Sequence, residues 1–193
     1  MASTSTSRDS GGRRFYTLSP SYATRYHWAY ADDQTGDEIG RMGLRELADF
    51  RGTARFEARE GTIAADFMWN DLLLPIVSTR VVELLRRHEV NGYKLFNVIV
   101  SKKDEAINGY HGMAVTGRGG PNDSKAYEGG FMPGTKIRRV KGLCPTEWDG
   151  SDLFTLDDFP RAPLATDKVK DIFTKNKVTN CKLEPAEEFQ IGY

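Results

Sequence analysis

The chain has 193 residues, of which 39% are hydrophobic and 28% are charged, proportions typical of a globular protein. Its formal net charge is zero, which argues against nucleic acid or membrane surfaces bound through general electrostatic attraction. Residues 1–12 lack the apolar segment of a secretory signal, and no apolar run approaches the roughly 18 residues of a membrane span. We therefore expect a cytoplasmic protein with neither nucleic acid nor a membrane as partner.

Residues 1–12 are rich in Ser, Thr and Gly and are predicted to be disordered, whereas residues 13–193 are predicted to form one domain. The two cysteines, Cys144 and Cys181, provide neither a disulfide framework nor a metal-ligand pattern. The sequence therefore predicts no metal site and no cofactor.

Residues 13–18 (RRFYTL) have the composition of a first strand. After several aromatic residues comes an acidic turn, in which Asp32 and Asp33 precede Gln-Thr-Gly. Paired carboxylates can hold a cation or act as acid and base, but this composition also suits a solvated loop. Beyond it, the sequence predicts a short helix over 42–50, a strand over 55–59 and a buried apolar segment over 66–74.

Residues 75–95 and 163–183 form an internal repeat at a constant offset of 88, without a gap. Five of the 21 aligned positions are identical, and eight more keep their residue class. The mismatches include positions 79, 82, 86 and 89, whose spacing marks one face of a helix. Each copy is therefore predicted to contain a helix whose buried apolar side is shared by the two copies and whose other side faces solvent. Two unrelated amphipathic helices are the alternative.

Ser78 and Thr166 are suited to begin the two helices, because a hydroxyl can accept hydrogen bonds from the free N–H groups of a first turn. Gly92 and Asn180 occupy equivalent positions and tolerate the left-handed backbone found where helices end. A strand is expected after each helix.

Between the repeats, residues 109–117 alternate as a strand, 118–123 form a loop and 135–143 (TKIRRVKGL) form a basic strand. The acidic segment that follows, residues 147–158, contains aromatic side chains and suits docking onto a basic protein, with a solvated loop as the alternative. The candidate partner-binding residues are Asp32, Asp33, Glu147, Trp148, Asp149, Asp152, Asp157 and Asp158.

The three histidines, His27, His88 and His111, are far apart in the sequence and lack neighbours at metal-ligand spacing. No nucleophile elbow, zinc-protease motif or CxxC pair occurs. We therefore predict no catalytic residues and a protein that is not an enzyme. A small enzyme that combines Asp32 or Asp33 with His27 or His111 is the alternative.

The order of these elements resembles the immunity-protein family first defined from a myxobacterial toxin–immunity locus. The resemblance rests on a PIVSTRVVELL helix, the strand GYHGMAVTG, the tetrapeptide SDLF and a second helix, TDKVKDIF, followed by a KLEP strand. It covers residues 66–187, whereas the first 60 residues depart from the family pattern. The matching residues are Ser78, Arg80, Val81, Asp152, Phe154, Thr166 and Lys168.

This resemblance implies a non-catalytic protein that binds a cognate secreted toxin and occludes the toxin's active site. A toxin with a basic active-site cleft, acting in the cytoplasm, is the expected partner. An enzyme that degrades a toxin product and an adaptor for an unrelated protein are the alternatives. The predicted fold is α+β, a mostly antiparallel sheet with the two repeated helix–strand units packed on it.

Overall fold

The computed structural model describes residues 13–131 and 138–191. The predicted disordered segment 1–12 and part of the predicted basic strand 135–143 lie outside the described residues. The helices are α1 (Asp33–Ile39), α2 (Thr79–Arg87) and α3 (Asp167–Lys175). The strands are β1 (Phe15–Ser19), β2 (Trp28–Ala31), β3 (Thr53–Glu60), β4 (Phe67–Asn70), β5 (Ile76–Ser78), β6 (Tyr93–Lys102), β7 (Glu105–Ala106), β8 (Tyr110–Val115), β9 (Gly117–Arg118), β10 (Tyr127–Phe131), β11 (Arg138–Lys141), β12 (Leu153–Thr155), β13 (Leu164–Thr166), β14 (Lys182–Pro185) and β15 (Gln190–Ile191).

Six strands close into a barrel in the order β3-β2-β4-β5-β8-β6, because β3 also pairs with β6. The α+β class is confirmed, and most pairings between described strands are antiparallel. The mostly antiparallel sheet was predicted, but its closure into a barrel through the parallel pairing of β3 with β6 was not. The alternation on β3 explains the closure: Ala54, Phe56 and Ala58 are buried, while the residues between them face solvent.

A second sheet has the order β14-β1-β13-β12-β9, and a small third sheet has the order β10-β11-β15. The main apolar core joins the barrel to both α2 and α3, as the contact between the rings of Phe67 and Phe173 at 5.7 Å illustrates. A smaller core surrounds Phe154 in the second sheet. Strand β4 and Leu74 are buried, as predicted for the segment 66–74, but Leu73 in the same segment is 45% exposed.

Helices α2 and α3 occupy the predicted places in the two repeats, and a strand follows each. The Ser78 hydroxyl accepts a hydrogen bond from the N–H of Val81, as a capping residue should, whereas Thr166 caps no N–H of α3. Val82 was predicted to face solvent, and this prediction was wrong, because Val82 is buried in the main core.

Gly92 and Asn180 have the positive φ angles that the repeat predicted, 85° and 55°. A side chain at Gly92 would also collide with the carbonyl oxygen of Leu153, so this position needs glycine for space as well as for backbone conformation. The helices themselves end earlier, where Glu89 and Lys177 take equivalent left-handed conformations.

Two largely buried carboxylates tie these helices to the rest of the fold. Asp66 accepts hydrogen bonds from the Arg80 guanidinium at 2.7 Å, the Ser78 hydroxyl at 3.1 Å and the backbone N–H of Thr179 at 2.9 Å. Its side chain is 11% exposed. It therefore joins the start of α2 to the loop after α3.

Asp152 makes the corresponding contacts on the other side. It accepts from the Lys168 ammonium at 2.8 Å, the Thr166 hydroxyl at 3.3 Å and the backbone N–H of Asn91 at 3.1 Å. Thus Asp152 joins the start of α3 to the loop after α2. We call the two sets of contacts the carboxylate clamps.

A turn was predicted around Asp32 and Asp33, and this prediction was wrong, because residues 33–39 form helix α1. Asp32 precedes the helix and accepts a hydrogen bond from the N–H of Thr35 at 2.7 Å, a favourable N-cap that the turn-like composition concealed. Residues 42–50 contain only a single 3₁₀ turn, Glu46–Asp49, instead of the predicted helix.

Replacing Asp66 by Asn should lower the free energy of unfolding by about 2–3 kcal/mol at neutral pH, because a charged acceptor of several hydrogen bonds is lost. Burial raises the pKa of Asp66, but hydrogen bonds from Thr179 and Arg80 outweigh it and hold the pKa below its ordinary value. This stabilisation is complete above the unfolded-state pKa of about 3.9 and is lost as the pH falls through the lower folded-state value.

Urea unfolding followed by circular dichroism from neutral to acidic pH measures both effects. The Asn variant should lose the part of the acid dependence that Asp66 contributes. Asp171→Asn, on the exposed face of α3, is the matched control and should change stability by less than about 0.5 kcal/mol. Equal stability of wild type and Asp66→Asn at neutral pH would contradict the clamp.

Candidate functional site

An open groove with a volume of about 330 Å³ lies on the outer face of the barrel. It crosses three neighbouring strands, β2, β3 and β6. We call it the barrel groove; its lining residues are Tyr30, Ala31, Asp32, Arg55, Phe56, Glu57, Arg59, Ile99, Ser101 and Asp104. No helix forms part of this lining, although Asp32 caps α1 at one edge.

Hydrogen bonds and ion pairs fix the polar side chains at one end of the groove. The Tyr30 hydroxyl donates to the Glu60 carboxylate at 2.6 Å, and this hydrogen bond raises the pKa of Tyr30. Arg59 donates to Glu57 at 2.9 Å, and its guanidinium lies 5.1 Å from the centre of the Tyr30 ring. The Tyr–Arg stack is therefore held in one orientation before any partner binds.

Of the residues predicted to bind a partner, Asp32 alone lines this groove. Hydrogen bonds from Thr35 hold the pKa of Asp32 below its ordinary value, so its carboxylate stays charged at neutral pH. Asp33 is exposed in the first turn of α1, next to the groove edge. These two carboxylates belong to the barrel, whereas the acidic segment belongs to the second sheet and its loops.

Two predicted binding residues of the acidic segment support the fold instead. Trp148 is half-buried, its ring lies 5.4 Å from that of Phe15, and its indole N–H donates to the carbonyl of Ser151 at 2.9 Å. Asp152 is buried in its carboxylate clamp, with Lys168 as its ion-pair partner. Asp152 is thus largely removed from the surface, whereas part of Trp148 remains accessible there.

The other four carboxylates of the segment, on Glu147, Asp149, Asp157 and Asp158, are exposed. Asp149 accepts from the backbone N–H groups of Arg118 and Ser151, and Asp158 accepts from the N–H of Asn122. Asp157 forms an ion pair of 2.6 Å with Arg45. These contacts anchor the carboxylates of Asp149, Asp157 and Asp158 and leave part of their negative charge at the surface.

An enzyme that combines Asp32 or Asp33 with His27 or His111 was the alternative hypothesis. In the described residues, the hydrogen-bond contacts of the two histidines do not include either aspartate. His27 is buried, with Nδ1 3.2 Å from the carbonyl oxygen of Glu60, and His111 lies 3.3 Å from the Thr79 hydroxyl. In residues 13–131 and 138–191, no group of three or more His, Cys, Asp or Glu side chains is arranged to hold a metal ion. No helix in the same ranges is long and apolar enough to cross a membrane.

Most of the groove residues were missed by sequence reasoning. The strand RFEARE alternates strictly, which puts Arg55, Glu57 and Arg59 on one face, and this signal was present in the sequence. What the sequence did not reveal is that β6 lies beside β3 in parallel and brings Ile99 opposite Arg55. That pairing joins segments more than 40 residues apart and follows from the closure of the barrel.

Comparison with known protein families and with curated proteins does not identify a function for the barrel groove. No family model matches the chain. A search of curated proteins finds no significant match either.

Replacing Trp148 by Ala should lower the free energy of unfolding by about 3 kcal/mol, because the indole packs on Phe15 and Phe154. Glu147→Ala, one residue earlier and exposed, is the control and should stay within about 0.5 kcal/mol of wild type. Urea unfolding monitored by far-UV circular dichroism measures both changes. If the Trp148 variant were as stable as wild type, the packing of Trp148 on Phe15 and Phe154 would not stabilise the fold, and a role in binding a partner would be favoured instead.

Proposed function

We propose that the protein is an immunity protein, which binds a cognate secreted toxin and blocks the toxin's active site without catalysis. The resemblance of residues 66–187 to toxin–immunity proteins supplies the class of partner. The protein acts in the cytoplasm, where a nuclease or a nucleotide-consuming toxin is a more suitable target than an enzyme that attacks the cell wall.

The observation that carries this proposal is the way in which exposed carboxylates are anchored. Asp149, Asp158 and Asp32 each accept a hydrogen bond from a backbone N–H, and Asp157 is held by Arg45. A loose acidic loop would lose conformational entropy on binding, whereas anchored side chains lose little. Fixed negative charges suit the basic cleft of a toxin that acts on nucleic acid or nucleotides, because they can take the place of the phosphates.

We also propose that segments 75–95 and 163–183 are two copies of one helix–strand unit. The two carboxylate clamps support this, since Thr179 and Asn91, which they hold, are also 88 residues apart. The reciprocal bonds match as well: the N–H of Asp66 donates to the Thr179 hydroxyl at 2.8 Å, and the N–H of Asp152 donates to the side chain of Asn91 at 2.7 Å.

Removing three exposed charges from the acidic segment (Glu147→Gln, Asp157→Asn and Asp158→Asn together) should slow association with the toxin about tenfold at low salt. The physical reason is that complementary surface charge accelerates encounter more than it slows dissociation. The effect should shrink at physiological salt because of screening. Stopped-flow binding to the protein encoded by the adjacent gene measures the rates.

A control variant with the same change in net charge carries Glu83→Gln, Asp171→Asn and Glu184→Gln, whose side chains are exposed on α2, α3 and the edge strand β14, outside the acidic segment. Its association rate should stay close to that of wild type. An equal slowing by both triple variants would show that only net charge matters. Neutralisation of the toxin by substoichiometric protein would contradict the binding mechanism itself, since a blocking protein acts one to one.

A further inference from the structure

A row of aromatic side chains extends from the barrel groove along the outer face of β2. Trp28 and Tyr30 alternate with the buried Ala29 and so share the outer face of the strand. Tyr22 stacks on Trp28 with ring centres 6.2 Å apart and planes inclined by 22°. We call Tyr22, Trp28 and Tyr30 the aromatic row; Arg59, stacked on Tyr30, connects it to the groove.

The first member of the row is held in an unusual conformation. Tyr22 is 71% exposed, yet its backbone is left-handed, with φ of 53°. Such a conformation is uncommon for a bulky residue and costs free energy that the surrounding structure must offset. Here it presents a large aromatic surface to solvent, which does little for the stability of the fold.

A second exposed apolar side chain lies across the groove. Ile99 on β6 is 41% exposed and stands beside Arg55 in the parallel pairing with β3. Tyr, Trp and Arg are the residues that most often dominate the binding energy of protein interfaces. The composition and exposure of this face therefore match the centre of a protein-binding site.

The charges of the same face indicate the chemistry of the partner. Three carboxylates and two guanidinium groups line the groove: Asp32, Glu57 and Asp104, with Arg55 and Arg59. Two further carboxylates, those of Glu60 and Asp71, interact electrostatically with Tyr30 beside the groove. An excess of negative charge opposes nucleic acid, and it also opposes a second copy of the same face. It attracts a protein whose contact surface is basic.

We propose that the barrel groove and the aromatic row form the principal docking surface for the toxin, a basic protein that packs apolar side chains on the aromatic row at one end and on Ile99 at the other. This inference rests on the proposed immunity function and adds the location of the interface. The acidic segment accelerates encounter, while the aromatic row supplies the contacts that hold the complex together.

The test measures the dissociation constant of the full chain and the protein encoded by the adjacent gene by isothermal titration calorimetry. Tyr22→Ala and Ile99→Ala should each weaken binding about thirtyfold, as expected for central contacts, mainly through faster dissociation. Lys177→Ala is the matched control, since Lys177 is also exposed with a left-handed backbone, φ 50°, at the end of α3. It should bind as wild type does.

Thermal unfolding of each variant verifies that it is folded before binding is compared. If both alanine variants bind as tightly as wild type and still neutralise the toxin, the docking surface is refuted and the immunity function stands. If wild type neither binds nor neutralises the adjacent product, both proposals fail. A wild-type dimer that Tyr22→Ala dissociates in sedimentation analysis would also refute the inference, because the face would then serve self-association.

Discussion

The fold depends on two charged side chains that are largely removed from water, Asp66 and Asp152. Each accepts hydrogen bonds at the start of one helix and from the loop that follows the other helix, so neither helix can detach without breaking both clamps. Removing one partner of such a buried pair is costly, since it leaves a desolvated charge without compensation. The clamps hold α2 beside β5 and α3 beside β1 and β13, whereas the barrel groove on β2, β3 and β6 has only α1 at its edge.

At the barrel groove, hydrogen bonds and a cation–π contact fix the orientation of polar and aromatic side chains. Tyr30 is fixed by Glu60 and Arg59, and Asp32 is fixed by α1. A partner that binds there meets side chains already in place, so less entropy is lost on association. The acidic segment is anchored in the same manner on the second sheet. Under the proposed immunity function, the aromatic groups would supply short-range contacts and the carboxylates a long-range attraction for a basic target.

Local patterns in the sequence predicted local structure well. Spacing at 75–95 and 163–183 predicted both helices, Ser78 caps α2 as predicted, and Gly92 and Asn180 have the predicted left-handed backbone, although both helices end earlier. Long-range pairing was inaccessible: nothing local indicates that β3 lies beside β6, so the barrel and its groove were missed. The acidic composition likewise could not separate the buried Asp152 from the exposed Asp157, because burial depends on Lys168 and Asn91 elsewhere in the chain. The α1 cap at Asp32 was hidden by residues common in turns.

The most direct test of the whole account is amide hydrogen exchange of the chain, alone and mixed with the protein that we propose as its toxin partner, the product of the adjacent gene. The account predicts that binding slows exchange in peptides from β2, β3 and β6 and in residues 147–158, while α2 and α3 exchange as in the free protein. Protection confined to α2 and α3, with the barrel unchanged, would contradict it. The interface would then lie on the clamped side of the molecule, and the exposed aromatic face would have no part in binding the toxin.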